Sequence, residues 1–320
     1  MLFTKRFIVL TLCVALICVC VPSNVVARGS VTQHYLTLSA GGGMAQNLSA
    51  AKIANANPGA DAQVAFSYEI GKRGFFFNFG IGADYLFTRT SIDGFTEQTP
   101  RVDKDGRQIL YNMVFSDYME KQHTLLASVP VQFGYRFHRY AYFAVGAKVQ
   151  MPLITQYSVT TKMYTEGVYP NLIDVVSKNV PSYGYYPEEK YTYSSKYDAP
   201  TLYVTPMAEV GGFLRLARGI TCRVGLFVEY AIPVVGSHKT DILVDYSDVD
   251  MNPQTQNRSN LADNIRFRSM LNAQYNATMT EHAGEKLMKG LAENITFGVR
   301  ATFRFNVTQS PSICLCVTDN

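Results

Sequence analysis

The run FFFNFGIGADYLF, residues 75–87, is almost wholly apolar yet holds an amide, Asn78, and a carboxylate, Asp84. On a helix, residues six apart lie about 240° apart around the axis, so the two polar groups would break two faces. On a strand side chains alternate, and six apart means the same face. Phe75, Phe77, Phe79, Ile81, Ala83, Tyr85 and Phe87 then make one unbroken apolar face, while Asn78 and Asp84 share the other with Gly80 and Gly82. The segment reads as a strand with an unusually large apolar face.

The alternation recurs, giving strands near 35–44, 63–71, 75–88, 124–137, 141–151, 202–215, 220–232 and 294–305. Each has the ~10-residue length that crosses a bilayer when tilted. The more apolar parity, taken as outward, carries no charge on any of the eight. The opposite parity collects Glu69, Asp84, Arg136, Lys148, Glu209, Arg215, Arg223, Glu229, Arg300 and Arg304. A basic side chain facing lipid at mid-bilayer costs ~2–4 kcal/mol, so the pattern sets which face meets hydrocarbon. Connections agree: GKRG (71–74), HRY (138–140) and ARG (217–219) are short, and the stretches about 45–62, 89–123, 152–201 and 233–293 are long. Tight turns at one end and long loops at the other predict an all-β fold. The expectation is an eight-stranded antiparallel transmembrane up-and-down β-barrel with long extracellular loops, closed because lipid cannot solvate a sheet edge. A soluble sandwich or ligand barrel would wet its outer face with Lys, Glu and Thr. Only 17% of the chain is charged, and the net charge of +4 is too mild to argue for nucleic acid or a polybasic membrane patch, so no nucleic-acid partner is expected.

The first 27 residues read as a signal peptide: Lys5 and Arg6, the apolar run 7–21, and Val25-Val26-Ala27 before Arg28. The division is 1–27 signal peptide, 28–308 barrel and 309–320 tail. No later stretch holds 18 consecutive apolar residues, so no spanning helix is expected in the exported chain. Cys13, Cys18 and Cys20 leave with the signal, Cys222 stands alone, and Cys314 and Cys316 form one C-x-C pair, which is not a zinc site.

SVPVQFGYRFHRYAYFAVGAKVQMPL (128–153), with its mid-strand proline, aromatic strand end, tight turn and glycine-containing return strand, resembles the central hairpin of the small outer-membrane β-barrel proteins of Gram-negative bacteria. NITFGVRATFRF (294–305) is similar to their aromatic-ended final strand. The resemblance spans roughly residues 30 to 307 and implies an OmpA-like architecture, export to the outer membrane, contact with its lipid, and recognition by the barrel-insertion machinery. The chain departs from it where TQSPSICLCVTDN follows the terminal aromatic region.

An eight-stranded barrel is just wide enough for its side chains to fill. Inward glycines (Gly80, Gly82, Gly134, Gly146, Gly211, Gly225, Gly298) leave room for the six basic and four acidic inward residues to meet as a paired network rather than a pore. Recognition is expected on the long loops. The third is tyrosine-dense, with Tyr183, Tyr185, Tyr186, Tyr191 and Tyr193 as candidates to contact a protein or glycan; the competing reading packs those rings against the loop itself. The fourth loop holds a helix candidate at 261–294, read as a lid over the barrel mouth. No catalytic, cofactor or metal motif appears, and His123 and His238 are the imidazoles nearest the rim. The functional expectation is a non-enzymatic, side-chain-filled barrel that binds or stabilises the cell surface. The alternatives are an accessory subunit of a secretion or transport complex, or a narrow solute channel.

Overall fold

The computed structural model describes residues 32–48, 54–137, 141–170, 172, 175–217, 219–235, 243–246, 248, 264–272 and 293–307. The N-terminal 27 residues and the 309–320 tail, with Cys314 and Cys316, lie outside the described residues. In chain order the strands are β1 (Gln33–Asn47), β2 (Asn55–Lys72), β3 (Phe75–Val102), β4 (Gln108–Arg136), β5 (Ala141–Val168), β6 (Val176–Lys178), β7 (Glu189–Ser195), β8 (Leu202–Ala217), β9 (Ile220–Val235), β10 (Val244–Asp245), β11 (Arg266–Phe267) and β12 (Asn294–Asn306). Eight of them pair antiparallel in the order β4-β3-β2-β1-β12-β9-β8-β5, and β4 pairs β5 to close the ring. Closure leaves none of the eight with a free edge.

The parity follows from register. Leu38 faces Phe66 on β2 and Phe303 on β12; Phe79 faces Val131; Val149 faces Val204; Leu226 faces Val210 and Val299. These are outward positions, and large apolar side chains there are exposed, Ile81 by 67% and Leu226 by 63%. Cys222, also outward, is a free thiol buried between Leu214 and Phe303 on the flanking strands. The inward parity carries glycine, hydroxyls, amides and buried ions.

Three strands run far beyond the sequence-based expectation. Residues 89–123 and 152–168, expected as loop, are mostly strand: β3 and β4 continue as one hairpin to a turn at 103–107, and β5 continues to Val168. Arg89, Asp93, Gly94 and Glu97 look like loop residues because the polarity inverts along this extension. Above the ring Ile92, Phe95, Met113, Phe115, Tyr157, Val159 and Met163 are buried, while Asp93, Lys121 and Lys162 are exposed. The inversion needs the side-chain register to slip by one. On β5 the slip sits at Leu153, between the pairs Leu125–Ile154 and Leu126–Pro152. On β4 it sits at Asp117, whose φ of 52° places it in the left-handed region, beside a second register shift between Ser116 and Met119.

The hairpin tip is built by DKDGR. Asp103 Oδ1 accepts the Asp105 and Arg107 amides at 2.9 and 2.8 Å, and Gly106 takes φ of 78°. The expected helix at 261–294 is corrected where it is described: Asn264 is helical, but from Ile265 the chain forms β11, paired with β10, and a turn through Asn272. Residues 261–263 and 273–292 lie outside the described residues.

Candidate functional site

The interior of the ring is an ion network in two tiers. In the upper tier Lys148 Nζ lies 2.8 Å from Glu229, 3.3 Å from Asp84 and 2.9 Å from Gln63 Oε1. Arg300 reaches Glu209 at 2.8 Å, Gln63 at 2.5 Å and Glu229. Tyr142 donates its hydroxyl proton to Glu209, Gln132 donates to the same carboxylate at 3.2 Å, and Gln150 donates to Asp84 at 2.5 Å. In the lower tier Glu69 holds two guanidiniums, Arg304 through Nε at 2.9 Å and Arg223 at 3.1 Å. Arg223, 1% exposed, lies over the Phe76 ring at 4.5 Å, and Arg304 over Tyr35 at 4.1 Å. Aromatic faces supply part of what the shared carboxylate cannot.

Eight of the ten inward ions read from the sequence thus come together. Arg136 and Arg215 do not: both are exposed at strand ends on the tight-turn side. The network also contains Asp61, which donates nothing but accepts from Gln63 Nε2 at 2.9 Å. Asp61 shares the inward parity of Gln63 and Glu69, and only the late start assigned to its strand hid it. What space remains here is about 30 Å³, lined by Ser39, Gln63, Asn78, Asp84, Ser128 and Gln132 among others, room for a water or two.

Above the ring the extended β3–β4–β5 wall carries an apolar cluster on its inner face. The third connection folds onto it: Tyr185 and Tyr186 are buried, while Tyr183, Tyr191 and Tyr193 are partly buried against the same cluster. Tyr111 donates to the Gly184 carbonyl at 3.0 Å and Tyr169 to Asp103 at 3.0 Å, so the loop is tied to the hairpin tip. Of the five candidate recognition tyrosines, two are therefore packing residues and three present partial edges. Burial raises the Tyr185 and Tyr157 phenols, and pushes Tyr197 up to about 12.

The fourth connection covers the cluster with Ile265, Phe267, Met270 and Leu271. Its anchor is Glu120, a fully buried carboxylate on β4. Ser269 Oγ donates to Glu120 at 2.5 Å, the Met270 amide at 2.7 Å and Gln122 Nε2 at 2.8 Å. Burial raises the Glu120 carboxyl above the usual carboxylate range, and these three donors oppose that rise. Beside this segment lies a cleft of about 510 Å³, a volume in the range of small-molecule sites. Its walls include Tyr157, Tyr193 and Phe267, and its rim the ion pairs Arg268–Asp245 at 2.8 Å and Arg266–Asp248 at 3.1 Å.

His123 stands on the outer face, its Nδ1 2.6 Å from the Tyr85 hydroxyl and its ring beside Phe87. Its ring contacts are with Tyr85 and Phe87. His238 lies outside the described residues. Among the described residues no three His, Cys, Asp or Glu side chains are grouped to hold a metal ion. No protein-family model and no curated protein matches the chain.

Proposed function

We propose that this chain is an integral outer-membrane β-barrel with a plugged lumen, related to the small barrels it resembles, and that it works at the cell surface through the folded cap. The carrying observation is the outward belt. On β3 it runs from Phe75 to Phe87 without a charge, and the first outward ions above it, Arg89 and Lys121, stand directly opposite each other. Below it comes Lys72, which pairs with Phe75 at the tight turn. Thirteen residues at about 3.3 Å each, tilted ~40°, give about 30 Å of height, a bilayer's hydrocarbon core. Exposed apolar area on this scale needs a cover, and lipid is the cover that fits a closed ring.

The lumen supports plugging rather than passage. Lys148, Arg300, Asp84, Glu209 and Glu229 are each held by an opposite charge across the ring, and moving one aside would strand its partner in low dielectric. The cap supports surface binding: the cleft pairs aromatic walls with a charged rim, which suits a polar ligand with flat faces such as a glycan. The purified chain in planar bilayers should show no steady conductance. Stable nanosiemens openings would refute the plugged lumen.

A further inference from the structure

The tight-turn end of the ring holds a concave site that neither the surface-binding role nor the plugged lumen uses. We propose that it binds a phosphate-class anion. The site is about 370 Å³, with Phe76 and Phe213 as its floor and Lys72, Arg73, Arg136 and Arg304 around it. No carboxylate lines it.

Charge is lopsided here. Among the described residues of 33–37, 67–78, 132–137, 141–144, 209–217, 219–224 and 302–307, which form this end, the acids are Glu69 and Glu209, the latter held by Arg300 from the upper tier, against Lys72, Arg73, Arg136, Arg215, Arg223 and Arg304. Glu69 is already shared by Arg304 and Arg223. An excess of positive charge therefore stands over the floor of the site. The upper tier of the lumen, where acids and bases alternate across the ring, shows no such excess.

Two placements aim that charge at a ligand. The Arg136 guanidinium rests over the Phe213 ring at 5.5 Å, and its backbone amide is fixed to the Gly74 carbonyl at 2.8 Å. It pairs with no carboxylate among the described residues, so its planar donor fork is open to a bidentate oxyanion. Arg73 and Gly74 form the β2–β3 turn with φ of 52° and 89°. A two-residue turn of this hand favours asparagine or glycine at its first position, yet a long cation stands there beside Lys72. Guanidinium forks plus an ammonium on an aromatic floor suit a compact, multiply charged oxyanion better than a single carboxylate. The same chemistry is offered by a phospholipid headgroup at the lower edge of the belt, where Phe75 and Phe137 are exposed, or by a free phosphate compound.

The test uses the full exported chain and two arms. In the first, pyrophosphate is titrated calorimetrically into the protein in uncharged detergent. In the second, thermal unfolding is compared in phosphatidylcholine nanodiscs with and without phosphatidylglycerol. The variant is Lys72→Gln with Arg136→Gln, both exposed, and the control is Lys190→Gln on β7 at the opposite end. Saturable pyrophosphate binding that weakens about tenfold or more in the double variant, which removes two charge-assisted donors, assigns a free phosphate. Stabilisation by phosphatidylglycerol that the variant loses assigns a headgroup. Absence of both effects, or effects unchanged in the variant, overturns the proposal. The pyrophosphate arm needs no bilayer, so it separates failure here from failure of the membrane reading.

Discussion

Arg300 is the residue on which most of the interior converges, reaching Glu209, Glu229 and Gln63 from three different strands. Arg300→Met should leave two buried carboxylates facing each other and lower stability by about 3–5 kcal/mol, read from the urea midpoint in detergent. Arg215→Gln, at an exposed strand end, should stay within about 0.5 kcal/mol. A Cβ at Gly134 would overlap the Phe76 ring that lies beneath Arg223. Gly134→Val should therefore cost about 1–3 kcal/mol by overpacking, and the same midpoint checks it. Glu120 gives a pH signature. Its folded carboxyl sits above the ordinary value of 4.5, so the folded state holds the proton more tightly than the unfolded one, and stability falls as pH rises through the window above 4.5. Hydrogen exchange of 264–272, corrected for intrinsic rates, should show easier opening as pH rises through that window and a flatter profile in Glu120→Gln. Easier opening on acidification would contradict this. Eight of the ten inward ions were legible as a set because strand parity alone places them on one face. Which ion meets which was not, since partners such as Lys148 and Asp84 sit 64 residues apart and meet only through ring closure.

At the level of elements, the ring strands were readable from the period of two and the turn chemistry, while the upper half of the wall was not. The reason is specific. At Asp117 and Leu153 the register slips, and above those points an apolar face turns inward while polar residues face out. A reader following one parity sees the pattern dissolve and assigns a loop. The Tyr-rich connection misleads in the opposite direction, because Tyr185 and Tyr186 resemble an exposed recognition surface yet serve as cap core. The two halves should then respond separately to mutation. Phe95, 1% exposed, stacks on Phe115 with ring centroids 4.7 Å apart. Phe95→Ala should loosen the cap by about 3–5 kcal/mol, seen as faster proteolysis within 170–200, with the resistance of the ring to unfolding in detergent unchanged. Simultaneous loss of both would show that cap and ring fold as one unit.

For the whole molecule, polarity is arranged twice over in opposite senses. The ring is apolar outside and ionic inside; the wall above it is polar outside and apolar inside. In the proposed membrane setting one chain would serve two solvents, with the first outward ions above the apolar belt at Arg89 and Lys121. The ring places its uncharged face where hydrocarbon would lie and its ions where they neutralise one another. The most direct test is a depth profile by single-site spin labels in lipid vesicles, with the native cysteines replaced, at outward positions Phe75, Phe79, Ala83, Phe87 and Arg89 along β3. Oxygen accessibility should peak and nickel-chelate accessibility should vanish in the middle of the series, with the pattern reversing at Arg89. Uniform access of the nickel chelate to all five labels in the folded protein would contradict the account.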